Sequence, residues 1–436
     1  MQFMHICCVN IGMETKRTIS RSAIIIVWTL RIIVGVTFIV SGFVKAIDPW
    51  GSVYKFTEYF AVMGLDWMVP FATMSAFVIC IYEFAFGVFL LLGCYRRVAP
   101  FALTAMMAVL LPLTLWLAIT DAVADCGCFG DAIQLSNWAT FMKNVVLMAA
   151  LVYLCIKNRY VVNVYGVAVQ WIVATLSCAL PLAIAFVGYS YQPLIDFRPY
   201  KVGEHLVTHD QNAASEPEYR FVYERDGVVK EFALDSIPDD DEWTYVDRIE
   251  VGGQAEETTP MGVSITVDGI DITDSVITDE GEYMILLFPN LDDVDISYTF
   301  VINEMYDLAQ SHGVNFLALT SADDATISDW KDLSMAAYEM YTIDDSVLKQ
   351  IARGNPAVVY VNNGVIVWKR SLQSIPISQF ENDMNDMSAI HRPLDDKKTL
   401  WSDITLYLGL MLALLAINRT HKLFKIKRPI NEKKSK

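Results

Sequence analysis

The stretch VAPFALTAMMAVLLPLTLWLAITDAVADCGCFGDAIQLSNWATFMKNVVLMAALVYLCI, residues 98–156, sets a short polar loop between two apolar runs. The runs, Val98 to Thr120 and Trp138 to Ile156, match the ~20 residues that a helix needs to cross a bilayer's hydrocarbon core. The loop between them holds Asp125-Cys126-Gly127-Cys128-Phe129-Gly130-Asp131. The fold therefore begins from membrane helices, and the only obvious reactive chemistry is a cysteine pair at their mouth.

Working outward, similar runs occur at Ala23 to Val44, Val69 to Gly93, Gly166 to Val187 and Leu400 to Ile417, which makes six spans. With 436 residues, 54% hydrophobic side chains and a long polar segment between spans five and six, the chain reads as an integral membrane protein with a sizeable water-soluble part. The net charge of -17 hides two opposite regions. From Gly188 to Thr399 there are 40 Asp and Glu against 14 Lys and Arg, a balance of -26; the rest of the chain carries +9. Nucleic acid is excluded as a partner of the soluble part, because phosphate binding needs clustered cations.

Positive charge sets the expected orientation. Lys16/Arg17/Arg21, Arg96/Arg97, Lys157/Arg159 and the basic end from Arg419 to Lys436 all fall on one side of a six-span arrangement, which should be the cytoplasm. The expectation is a multi-pass protein of the bacterial cytoplasmic (inner) membrane with both termini cytoplasmic and residues 188–399 periplasmic. Residues 1–22 form a short tail with an incidental Cys7-Cys8 pair, and Met13 is as good a start as Met1. No small-residue cleavage site follows, so the first span is retained. The loop from Asp48 to Asp66 is too short to cross again; it should lie at the interface, with Trp50, Tyr54, Tyr59 and Trp67 as anchors. The basic tail at 418–436 reads as a topology signal with secondary contact to anionic lipid.

Ionisable residues inside spans are costly, at roughly 2.5 to 3.5 kcal/mol even on a lenient insertion scale. Arg31, Lys45 and Glu83 are the candidates. Lys45, near the end of span one, can snorkel. Arg31 and Glu83 lie deeper and need partners, either as an ion pair between helices or as a site for a polar ligand or quinone head group.

The segments RIIVGVTFIVSGFVK at 31–45 and YEFAFGVFLLLG at 82–93, with DCGCFGD before the fourth span, resemble the DoxX/MauE superfamily of four-helix membrane proteins. The resemblance covers about residues 23–157, and the CGCFG loop narrows it towards the MauE branch. It implies a role in disulfide formation or maturation of exported proteins, and the wider superfamily implies a link to quinone-dependent oxidation. It points to Cys126 and Cys128 as the redox pair and gives Arg31, Lys45 and Glu83 a place inside the bundle.

The pair can also be judged from its spacing. Two residues of extended chain span at most about 7 Å, whereas a disulfide wants its Cα atoms roughly 4.4 to 6.8 Å apart, so a bridge across one residue needs a pinched backbone. Gly127 permits it. Such a ring should be easier to reduce than a structural disulfide, and an oxidising compartment allows it to form. Asp125 and Asp131 should raise the thiol pKa values unless a cation such as Lys45 approaches. Two other readings stay open: a structural or inert pair that fixes the loop, and a metal site. Zinc needs about four ligands, and the outer loops of the bundle hold no other cysteine and no histidine. Cys80, Cys94, Cys155 and Cys178 read as packing. The absence of histidine from the bundle argues against a His-ligated haem.

Beyond span five, residues 188–262 form a linker with a β-hairpin. YRFVYERDGVVKEFAL at 219–234 alternates around Asp226-Gly227, and the acidic SIPDDDEW follows as a solvated turn or a weak calcium site. Then come YMILLFPN, a helix from about Ser297 to His312, NFLALTS, another helix and NPAVVYVNNGVIVWKR. This order implies an α/β unit with a mixed sheet and resembles a thioredoxin-like domain over about 263–385, with Asn355-Pro356 where that family carries a cis-proline. Its expected Cys-x-x-Cys is replaced by Phe288-Pro289-Asn290-Leu291-Asp292-Asp293, and no cysteine occurs from Ala179 to Lys436. Such a domain cannot exchange thiols and should bind instead. His205, His209, His312 and His391 lack ligand-like spacing.

The expected fold class is thus an α-helical membrane bundle of six spans, with a four-helix DoxX/MauE-like core, joined to an α/β thioredoxin-like soluble domain. The favoured function is a redox accessory factor that passes electrons between thiols of an exported client and a membrane acceptor such as quinone. The alternative is a non-enzymatic scaffold whose inactive domain recruits a cell-envelope partner. A second cysteine pair to hand electrons on is missing from the outer side, which favours the alternative.

Overall fold

A computed structural model describes residues 21–123, 126–133, 135–207, 218–225, 228–233, 244–251, 263–267, 270–375 and 396–427. The chain divides into two units, one formed by 1–197 with 392–436 and the other by 198–391.

The first unit is helical: α1 (Arg21–Ile47), α2 (Pro49–Val62), α3 (Ala72–Leu92), α4 (Val98–Thr120), α5 (Asn137–Ile156), α6 (Gln170–Ser190) and a last helix, Asp396–Lys427. Six segments are long and apolar enough to cross a membrane, and they coincide with the six runs read from the sequence. Exposed apolar side chains such as Phe101, Val109, Val146 and Phe186 belong against lipid. Helices α1 and α3 meet along a seam of small residues. A Cβ placed on Gly42 would lie 2.5 Å from the Phe84 nitrogen, and one on Gly87 would lie 2.8 Å from the Ile39 nitrogen. Only glycine allows backbones this close, which is how helices associate where no hydrophobic effect drives them.

The 48–66 connection is helical over most of its length. Pro49 opens α2 and the Asp48 side chain caps it by accepting from the Gly51 N–H. A helix has two faces, and one of them turns inward. Tyr59 is buried. Trp50 stacks on Tyr189 at 4.7 Å between ring centres and donates from Nε1 to the Tyr189 carbonyl. Of the four expected anchors, Trp67 is the one that stands in the open, 69% exposed.

The second unit contains β1 (Glu218–Arg225), β2 (Val228–Ala233), β3 (Thr244–Val251), β4 (Thr266–Val267), β5 (Ile270–Asp271), α7 (Thr273–Val276), β6 (Glu282–Phe288), α8 (Tyr298–Ser311), β7 (Asn315–Thr320), α9 (Asp324–Ser334), β8 (Glu339–Thr342), α10 (Asp345–Ile351), β9 (Ala357–Asn362) and β10 (Val365–Ser371). Strands β1 and β2 form the expected antiparallel hairpin, Arg225 opposite Val228, and β3 adds a third strand on the other side of β1. The hairpin's Asp226-Gly227, the SIPDDDEW loop, His209, His391 and residues 376–395 lie outside the described residues.

The main sheet runs β10-β9-β6-β7-β8. Strands β6, β7 and β8 are parallel, while β9 is antiparallel to β6 and to β10, so the sheet is mixed as expected. It is buried on both sides. Along β6, Met284, Leu286 and Phe288 pack with Ile302 and Met305 of α8 and Trp330 of α9. Tyr283, Ile285 and Leu287 pack on the opposite face with Val347, Leu348 and Ile351 of α10. That alternation is the period of two of a central strand. The Asn355–Pro356 peptide before β9 is cis.

Candidate functional site

The cysteine loop leaves α4 at Asp121, which adopts a left-handed conformation, and re-enters helix at Asn137, where Ser136 caps α5. Asn137 ties the two ends together, donating to Asp121 Oδ1 at 3.0 Å and to the Val123 carbonyl at 2.9 Å. Between them Gly127 and Gly130 both take positive φ, +62° and +52°. The backbone turns at these points as the sequence requires. Cys126 and Cys128 are both free thiols, half-buried, with their sulfurs 3.3 Å apart.

Helix α1 presents Ser41 and Lys45, one turn apart on one face. Across the glycine seam stands Glu83 of α3. Lys45 Nζ donates to Glu83 Oε2 at 2.7 Å, to Ser41 Oγ at 2.9 Å and to the carbonyl oxygen of Cys128 at 2.9 Å. Ser41 Oγ lies 2.7 Å from Glu83 Oε2 and 2.6 Å from the same Cys128 carbonyl, two acceptors for its one proton. All three side chains are buried. The loop is thus hydrogen-bonded into the interior of the bundle. Tyr59 of α2 completes the cradle by donating its hydroxyl to the Cys126 carbonyl at 2.8 Å.

Two more lysines border the loop. Lys143 of α5 places its ammonium 4.5 Å from the centre of the Phe129 ring. A Cβ on Gly127 would lie 3.1 Å from Lys55 Cγ, so the Lys55 chain of α2 lies against that turn. The two thiols titrate in opposite directions. The hydrogen bond from Cys126 lowers Cys128 to about 6, and the Lys143 and Lys45 charges add to it against the opposing effect of burial. The bond it gives raises Cys126, and burial raises it further. One thiolate, shared and held at Cys128, is the result.

Of the five residues singled out in the sequence, the structure brings four together: Cys126, Cys128, Lys45 and Glu83. Arg31 is elsewhere. It precedes Lys45 by 14 residues, about 21 Å along a helix. Its Nε donates to the Leu90 carbonyl at 3.0 Å and its Nη2 to the Leu91 carbonyl at 2.9 Å, with Nη1 3.4 Å from the Val162 carbonyl and the guanidinium over the Trp28 ring. Of the two readings of Arg31 and Glu83, the ion pair between them gives way to a Lys45–Glu83 pair and an Arg31 cap on α3. The reason is depth: α1 and α3 run antiparallel, so Arg31 faces the last turn of α3, where carbonyls lack the donors of a following turn and Gly93 N–H reaches only Leu90, at 3.3 Å.

Ser41, Tyr59, Lys55 and Lys143 were not assigned a site role from the sequence. Lys143 could have been, as a charge inside an apolar run. Ser41 carries a weaker signal, its spacing of four from Lys45. Asp125 lies outside the described residues. No group of three or more metal-ligating side chains occurs among the described residues. Cys80 and Cys94 are buried, and Cys155 and Cys178 half-buried.

Comparison with known proteins finds a partial match. Residues 23–157 match the family profile described as methylamine utilisation protein MauE, and residues 217–251 match a domain of unknown function, DUF8463. The second match falls on the three-stranded sheet. No curated protein and no solved structure matches the chain. The chain is a multi-pass membrane protein whose first four spans are MauE-like.

Proposed function

We propose that the protein is a redox accessory factor of the bacterial cytoplasmic membrane, exchanging electrons between thiols of an exported client and a membrane acceptor of the quinone class. The observation that carries this reading is the Cys126–Cys128 pair, two thiols in contact with a low pKa at one of them and lysines around it. In its oxidised form the pair accepts a client thiolate at Cys126. Cys128 departs as the better leaving group, and the second client thiol then displaces Cys126. Two electrons and two protons pass from client dithiol to the pair, leaving a client disulfide. A quinone-class acceptor, where bound, would supply the two-electron, two-proton sink by which the Cys126–Cys128 disulfide is restored. Lys45 and Glu83 stand beside the loop where an acceptor head group would be met, and Arg31 serves the fold.

The 198–391 unit is assigned a binding role on the exported side. The order β10-β9-β6-β7-β8, with helices on both faces, supports the thioredoxin-like resemblance. The missing cysteines leave peptide recognition as its chemistry. The competing scaffold reading has its own support: the cysteines of the described bundle outside the loop are buried or half-buried in or next to the helices, and none forms a second pair.

The deciding experiment is the redox state of Cys126 and Cys128 in membranes, read by alkylation and mass shift across a series of thiol buffers. A reversible transition well above the roughly -300 mV of structural disulfides is the expected result. A pair that stays reduced throughout, or stays oxidised under strong reductant, leaves the scaffold.

A further inference from the structure

The groups nearest Cys128 within the bundle hold its backbone rather than its sulfur. Lys45 donates to the Cys128 carbonyl at 2.9 Å and to Glu83 at 2.7 Å, and the single Ser41 proton is shared between that carbonyl at 2.6 Å and Glu83 at 2.7 Å. The Lys45 bond is charge-assisted, about twice as strong as a neutral one. Both donors act on the Cys128 carbonyl, inside a turn that the Gly130 N–H to Gly127 carbonyl bond closes at 3.1 Å. Gly42 packs α1 against the α3 backbone immediately beside Ser41, so the backbones that carry the donors and Glu83 are held close together.

Forming a disulfide draws the sulfurs from 3.3 Å to about 2.05 Å across a single intervening residue. That closure pinches the segment whose carbonyl is clamped. Resting on the thiol-exchange reading above, we propose that Ser41, Lys45 and Glu83 are positioning residues of a redox-linked clamp, which holds the loop in its dithiol form and so raises the pair's reduction potential. The linkage is reciprocal. Oxidation of the pair loosens the Lys45–Glu83 contact inside the bundle, and anything that neutralises Glu83 shifts the pair towards disulfide. An ion pair buried in a membrane span, costly as a staple alone, thereby becomes a regulator of the site.

The test is a thiol-buffer titration of the full-length protein in membranes, comparing wild type with Ser41→Ala and with the double variant Lys45→Met/Glu83→Gln, which leaves no unpaired buried charge. The double variant is expected to shift the dithiol–disulfide equilibrium about tenfold towards disulfide, a fall of about 30 mV for a two-electron couple. Ser41→Ala should move it about threefold the same way, as for one neutral hydrogen bond. Midpoints within twofold of wild type, or a rise, overturn the clamp while leaving the exchange reading intact. A wild-type pair with no transition strikes the exchange reading itself. If the double variant does not accumulate, Ser41→Ala decides, since it removes a single hydroxyl.

Discussion

At the scale of single residues, the asymmetry between Cys126 and Cys128 is the chemistry that spacing alone does not show. A CxC pair reads as symmetric in the sequence; in the fold the hydrogen bond between the two thiols breaks the symmetry, lowering Cys128 and raising Cys126, and the Lys143 and Lys45 charges lower Cys128 further. Alkylation of Cys128 in the dithiol protein should rise as pH climbs through about 6 and be flat above it, because the thiolate is the nucleophile. In Cys126→Ala the half-rise should move up towards the ordinary thiol range, whereas Cys126→Ser, which keeps a donor, should move it less. Mass spectrometry of labelled peptide checks both. Arg31 makes the opposite case, a charge whose role is in the fold. Arg31→Met removes the Arg31 donor from the Leu91 carbonyl and leaves Leu90 with the Gly93 N–H alone, and should cost roughly 1 to 3 kcal/mol of bundle stability. The redox midpoint of the cysteine pair should stay where it is, which a melting curve beside the thiol titration would show.

At the scale of elements, the apolar runs were fully legible, since length and hydropathy define a membrane helix with little help from neighbours. The strand and helix order of the second unit was legible as far as β6, α8, β7, β9 and β10. The short β8 was not, because four residues give periodicity too little to work on, and β3 was not read although SIPDDDEW precedes it and Gly252-Gly253 follow it. Helix α2 was missed for a different reason: its aromatic residues fit an interface as well as a buried face, and only Asp48-Pro49 announced a helix start. The α1–α3 seam was half visible, in glycines whose partners the sequence does not identify. Gly42→Val should push the α3 backbone away, at a cost of about 1 to 3 kcal/mol, and slacken the clamp on Cys128. A lowered unfolding temperature together with a shifted thiol midpoint is the expected pair of observations.

For the whole molecule, the charge asymmetry and the six spans together predict how reagents meet it. Membrane-impermeant maleimide applied to spheroplasts should label Cys128 and spare Cys94 and Cys155, which lie at the other ends of their helices. A protease added from the same side should cut within 198–391 while a C-terminal tag survives. The reverse pattern would invert the orientation proposed for the client and place the loop in a reducing compartment.

Helix α6 and the last helix lie side by side, with Tyr165 donating to the Met411 carbonyl at 2.8 Å and the Ser177 and Tyr407 hydroxyls 3.3 Å apart. Everything between them is one closed loop of chain. The two helices therefore act on the second unit as a long-range cross-link would, removing conformations from its unfolded ensemble without touching its native core. By loop-closure entropy, a ring this size is worth roughly 3 to 5 kcal/mol. Freed from the membrane, the 198–391 segment should melt earlier than it does in place, and one proteolytic nick would loosen it without releasing it.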